Sequence, residues 1–73
     1  MATIPTYRKI LGEKIRFYRK LSKFSQEKLA EMADLHPKYV SEVERGGKTI
    51  SVDALHRIAK ALGISMRDLF RDL

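Results

Sequence analysis

Apolar residues along this chain recur at helical spacings, and nothing alternates with period two for long enough to predict a sheet. Leu11, Ile15, Tyr18 and Leu21 follow one another at steps of four, three and three. That row predicts a first helix over about 7–21, with Phe17 off its apolar stripe. Four later starts share one grammar. Ser25 stands between Phe24 and Leu29, His36 between Leu35 and Val40, Ser51 between Ile50 and Leu55, and Ser65 between Ile64 and Leu69. In each, a polar residue is placed to cap a helix by accepting from a free backbone N–H. The apolar residue before it is placed to pack on the one four positions past it. His36 is a poorer cap than serine, but Pro37 follows it at the first helical position, where a fixed φ suits the helix. Gly46 and Gly63 suit left-handed helix stops. These signals predict further helices over about 26–33, 37–45, 52–62 and 66–71. The expected fold is a compact, all-α, five-helix domain. Its expected core is Leu11, Ile15, Tyr18, Leu21, Leu29, Ala30, Ala33, Leu35, Val40, Val43, Leu55, Ile58, Ala59, Leu62 and Leu69.

Size and composition narrow the class. A chain of 73 residues makes one domain, assigned to 7–73 behind a flexible N-terminal arm of residues 1–6. Such a chain buries only about 60% of its unfolded surface, so its stability margin is thin. It has no cysteine, which excludes disulfides and thiolate metal sites, and two histidines cannot hold a structural zinc alone. We therefore expect no metal and no cofactor. No apolar run is long enough to cross a membrane, and the start has no signal-peptide core. A cytoplasmic, nucleoid-associated protein without membrane contact is expected. The net charge of +6 points to a polyanionic partner: nucleic acid, an acidic protein or an anionic membrane. Arg8, Lys9, Lys14, Arg16, Arg19, Lys20 and Lys23 crowd the first third against Glu13 alone. Part of that run is a solvated face, and Arg8 and Lys9 are also within reach of phosphate.

Function concentrates in residues 25–45. Two short helices joined by Asp34, Leu35 and His36 have the spacing of a helix-turn-helix. Ala30 is small where the second helix would approach, Leu35 plugs the turn, and Val40 and Val43 hold the second helix down. Pro37, Lys38, Ser41, Glu42 and Arg45 are left facing outward. A helix offering that face fits the major groove of double-stranded DNA.

The stretches Ser25-Gln-Glu-Lys-Leu-Ala-Glu-Met-Ala, Tyr39-Val-Ser-Glu-Val-Glu-Arg-Gly and Leu55-His-Arg-Ile-Ala-Lys-Ala-Leu-Gly resemble the Cro and phage-repressor type helix-turn-helix family, also called the Xre family. The resemblance covers about residues 10–70. It implies a repressor-like five-helix fold with the helix-turn-helix at the second and third helices, sequence-specific DNA binding, and homodimers on palindromic operators. It implies base reading by Lys38 and Glu42, with His36, Pro37 and Ser41 beside them. Lysine suits guanine O6 or N7, and glutamate suits cytosine N4. Glu42 has an equal reading as a repulsive element beside phosphate. Gln26 matches a residue that grips phosphate and buttresses the recognition helix, Tyr39 is expected to meet phosphate or a thymine methyl, and Arg45, Lys48 and Thr49 resemble phosphate contacts. Arg19 and Glu44 match a structural ion pair. Asp34 departs from the family's usual glycine, so the turn is expected to be kept at some strain.

A palindromic site needs two copies held together. Ile64, Met66, Phe70 and Leu73, with His56, give the expected C2 interface; the same residues would otherwise complete the monomer core. The chain stops soon after the fifth helix, leaving no ligand-sensing second domain, so no small-molecule ligand is expected. That size and ending resemble the controller proteins of restriction-modification systems, and equally small phage or plasmid repressors. No phosphate loop, carboxylate pair or nucleophile–base set suggests an enzyme. The rival reading is a protein-interaction module, such as an antitoxin or anti-repressor partner, built on the same fold.

Overall fold

A computed structural model describes residues 5–71 and 73. Among them run five helices and no strand: α1 (Thr6–Leu21), α2 (Gln26–Ala33), α3 (Pro37–Glu44), α4 (Val52–Leu62) and α5 (Met66–Phe70). Of the expected N-terminal arm, residues 1–4 lie outside the described residues. Thr6 is already helical.

The capping signals act as local chemistry dictates. Ser25 Oγ accepts from the Lys28 N–H, Ser51 Oγ from Ala54 and Ser65 Oγ from Asp68. Asp68 answers with its own carboxylate on the Ser65 N–H, completing a capping box. His36 caps α3 with its ring, Nδ1 accepting from the Lys38 N–H at 3.0 Å.

Helices α1 to α4 all stop the same way. One residue turns left-handed, its N–H bonds three residues back, and the next N–H bonds five residues back, satisfying two orphan carbonyls. The second bonds are Phe24 to Arg19, Leu35 to Ala30, Gly47 to Glu42, and Ile64 to Ala59, all between 2.8 and 3.1 Å. Gly46 and Gly63 hold two of the left-handed positions, but Lys23 (φ 61°) and Asp34 (φ 56°) hold the others. An L side chain there is strained, lysine more than aspartate. Lys23→Gly is expected to stabilise the domain by about 1 kcal/mol and Asp34→Gly by less. Urea unfolding checks both; a loss of stability in either would contradict the assigned turn.

Leu11, Ile15, Leu29, Ala30, Ala33, Val40, Val43, Leu55, Ile58, Ala59, Leu62 and Leu69 form the core. Ala54, which the pattern had not flagged, is buried with them. Tyr18 and Leu35 pack against the core from its rim. Leu21 is a correction: it is 67% exposed. Each three-residue step falls about 60° short of a full turn, so two steps from Ile15 carry Leu21 out of the core. Arg19, one position past Tyr18, is buried instead. Helix α2 packs on α3 and α4, and α1 lies across α3.

Candidate nucleic-acid interface

The turn between α2 and α3 sets the angle at which α3 leaves α2. Asp34 carries the left-handed corner, and Leu35 tucks behind it. Arg57 on α4 braces the corner: its Nη1 donates to the Asp34 carbonyl at 3.2 Å and lies 3.8 Å from the Asp34 carboxylate. Val40 and Val43 on α3 are buried, so Lys38, Ser41, Glu42 and Arg45 turn outward.

The far end of α3 is anchored by charge. Arg19 Nε donates to Glu44 Oε2 at 2.7 Å and Nη2 to Oε1 at 3.1 Å, a two-pronged pair. Both residues are buried, at 9% and 7% exposure. Arg19 Nη1 donates to the Phe24 carbonyl, and Gln26 Nε2 donates to Glu44 Oε1 at 3.1 Å. The network thus ties the end of α1, the start of α2 and the end of α3 at one point. Gln26 is the link to α2.

Gly12 is a second anchor that sequence reading did not single out. A Cβ built there would lie 2.5 Å from the Val43 carbonyl oxygen and 2.6 Å from that of Glu44. Helix α1 therefore crosses α3 backbone to backbone. The available signal was a glycine inside a helix, where alanine would be favoured by about 1 kcal/mol.

The outward face is more self-paired than the sequence alone implies. Glu42 Oε2 lies 3.5 Å from Lys48 Nζ, and the same ammonium sits 5.7 Å above the Tyr39 ring. His36, Lys38, Tyr39, Glu42 and Lys48 line one shallow hollow. Ser41 Oγ accepts from Arg45 Nη1 at 3.2 Å, and Thr49 Oγ1 accepts from Arg8 Nη1 at 3.2 Å. Lys38 is exposed and forms no ion pair among the described residues. Because Nδ1 of His36 is occupied as an acceptor, its neutral ring carries the proton on Nε2, a donor available to an external acceptor.

Of the residues assigned to a dimer interface, His56 is exposed on α4. Ile64 and Met66 are half-buried against the core. Phe70 and Leu73 are exposed, and with Tyr7 and Val52 they border an apolar cavity of about 140 Å³. Among the described residues no cluster of His, Asp or Glu is placed to hold a metal ion, and no helix is long and apolar enough to cross a membrane.

Comparison with known proteins agrees with this geometry. A helix-turn-helix family model matches residues 15–69. The control protein C.BamHI of Bacillus amyloliquefaciens is 46% identical over 63 residues, covering 85% of this chain and 78% of the relative. The crystal structure of the restriction-modification controller protein C.AhdI from Aeromonas hydrophila superposes with a TM-score of 0.85 at 36% identity, covering 86% of this chain and 96% of that one. SinR, a master regulator for biofilm formation solved in complex with DNA, superposes with a TM-score of 0.78 at 32% identity, covering 81% and 95%. The chain belongs to the helix-turn-helix family and is a DNA-binding transcriptional regulator rather than an enzyme.

Proposed function

We propose that this regulator acts as a homodimer that lays one α3 from each copy into successive major grooves of a palindromic operator, in the manner of a restriction-modification controller protein. The observation that carries the reading is a helix whose inner side is fixed by Gly12 and the Arg19–Glu44–Gln26 network while its outer side is left to solvent. Lys38 reads guanine O6 or N7 at the start of α3, with Pro37 and Ser41 against neighbouring edges. His36, through its Nε2 proton, reads an acceptor. Gln26, Tyr39, Arg45, Lys48 and Thr49 hold phosphate; Lys48 trades its carboxylate partner for phosphate as the protein docks. The two copies meet through Phe70 and Leu73, with His56, Ile64 and Met66 alongside, setting the recognition helices about 34 Å apart. This role places the protein on the nucleoid, in the cytoplasm.

Selection from a random duplex library tests the reading directly. The expected product is a palindrome of two short half-sites, bound by a species of twice the monomer mass. Failure to enrich any sequence with a folded protein overturns the DNA assignment. A purely monomeric complex overturns the dimer.

Side-chain roles separate by readout. Lys38→Ala is expected to cost about 1–3 kcal/mol at the selected operator and to relax the consensus at one position per half-site. Lys48→Ala is expected to weaken all sequences alike and to reduce the salt slope by about one. Glu42→Gln frees Lys48 and removes a carboxylate that faces phosphate. It is expected to raise affinity for unrelated DNA while lowering the ratio of operator to unrelated binding. Titration at several salt concentrations checks all three; an unchanged ratio in Glu42→Gln would remove Glu42 from the reading set.

A further inference from the structure

Helix α1 carries a second flank that the core covers only in part: Tyr18 packs at the core's rim, while Phe17 and Leu21 stand exposed. Ile10, Phe17 and Leu21 follow one another along this flank at spacings of seven and four residues, with Tyr18 beside Phe17. At about 100° per residue, Ile10 and Phe17 lie roughly 140–160° round the helix from Gly12. Gly12 and Arg19 face α3, so this flank is turned away from the recognition helix. Phe17 is 60% exposed and stands edge-on to Tyr18, with ring centroids 5.3 Å apart. Ile10, Glu13, Lys14, Phe17 and Tyr18 together line a shallow hollow. Leu21 extends the row to the end of the helix. A row of this length, about 16 Å along the axis, matches a partner helix rather than a point contact.

The charges around the row say what kind of helix. Lys14 and Lys20 stand three residues before and after Phe17, Arg16 immediately precedes it, and Lys9 and Lys23 lie beyond. None of these five forms an ion pair among the described residues. Glu13 is the single carboxylate on α1. A second copy of the same flank would bring two sets of cations together without partners, which disfavours self-pairing here. We propose that the α1 flank is a docking surface for another protein: an amphipathic helix whose apolar stripe is bordered by Asp and Glu. The surface stays open while α3 occupies DNA, as the preceding reading has it, so a regulator on its operator can hold such a partner. The Phe17 and Leu21 side chains supply the apolar contact, and Lys14 and Lys20 select the acidic borders.

The test uses the free protein, so it succeeds or fails separately from the DNA assignment. A designed peptide of about five helical turns, with leucines on one face and glutamates along both borders, is titrated into ¹⁵N-labelled protein. A second peptide carries lysine in place of each glutamate. The expected result is saturable shifts at the amides of Ile10, Lys14, Phe17 and Leu21 with the acidic peptide and none with the basic one. The double variant Phe17→Ser with Leu21→Ser is expected to keep the melting temperature, since both side chains are exposed, and to weaken the acidic peptide at least about tenfold. Lys14→Gln with Lys20→Gln is expected to remove most of the salt dependence of binding. Equal binding of both peptides overturns the charge argument and the proposal with it. So do shifts centred on Phe70, no shifts at all, or a concentration-dependent shift of Phe17 without peptide, which would assign the flank to a second copy.

Discussion

Gly12→Ala is expected to lower the melting temperature by 10 °C or more, although alanine is the better helix former. On propensity alone the change favours α1 by about 1 kcal/mol. Against that stands a methyl group 2.5 and 2.6 Å from two carbonyl oxygens at the end of α3. Both are main-chain atoms, so no side chain can rotate to make room, and α1 has to back away from α3. Overpacking of this kind costs about 1–3 kcal/mol and more where backbone is the obstacle. In a domain of this size each kcal/mol moves the melting temperature by about 4–8 °C. Backing away also stretches the Arg19–Glu44 bonds, which span the same two helices. Operator affinity is therefore expected to fall even at temperatures where the variant is fully folded. Gly47→Ala is the control. Its added Cβ meets only the Glu42 carbonyl, at an ordinary 3.6 Å, so little change is expected. Equal thermal stability of the Gly12 and Gly47 variants would disprove the backbone contact.

What sequence reading reached and what it missed divide along one physical line. Ser25, His36, Ser51 and Ser65 were legible as caps because their partners lie two or three residues away, within reach of a pattern. The buried and outward sides of α3 were legible for the same reason, from the spacing of Val40 and Val43 against Lys38, Ser41 and Arg45. Leu21 misled because successive three-residue steps imitate a stripe while drifting round the helix. Lys23 was invisible as a left-handed stop because lysine carries no preference for that conformation. The close approach at Gly12, the Glu42–Lys48 pair, the Arg8–Thr49 bond and the Arg57 brace on Asp34 all depend on how helices cross or how the loop after α3 returns. No local rule encodes those. The Arg19–Glu44 geometry shows the boundary well. Family resemblance named the two residues, but the third member, Gln26, joins at the same carboxylate oxygen only because the starts and ends of three helices converge.

That convergence makes Arg19 the second site of large effect. Arg19→Ala leaves the Glu44 carboxylate buried with Gln26 as its one remaining side-chain partner among the described residues, and also frees the Phe24 carbonyl. Stranding one member of a buried pair costs about 3–5 kcal/mol, a large share of the stability of a small domain. Glu44→Ala strands the guanidinium and is expected to cost about as much. The pair as a whole is another matter, since two desolvated charges recover little more than their burial costs. Arg19→Met combined with Glu44→Leu is expected to regain most of the stability lost by either single change. Denaturant unfolding of the four proteins gives the coupling directly. Additive losses would show that the pair is not a unit. Stability and positioning then separate. The apolar pair has nothing for Gln26 to bond, so α2 and α3 lose the hydrogen bond that ties them at that end. A folded double variant that binds operator as tightly as the parent would mean that packing alone holds α3. We expect weaker operator binding at near-parental stability, because the charges serve the angle of the recognition helix more than the fold itself.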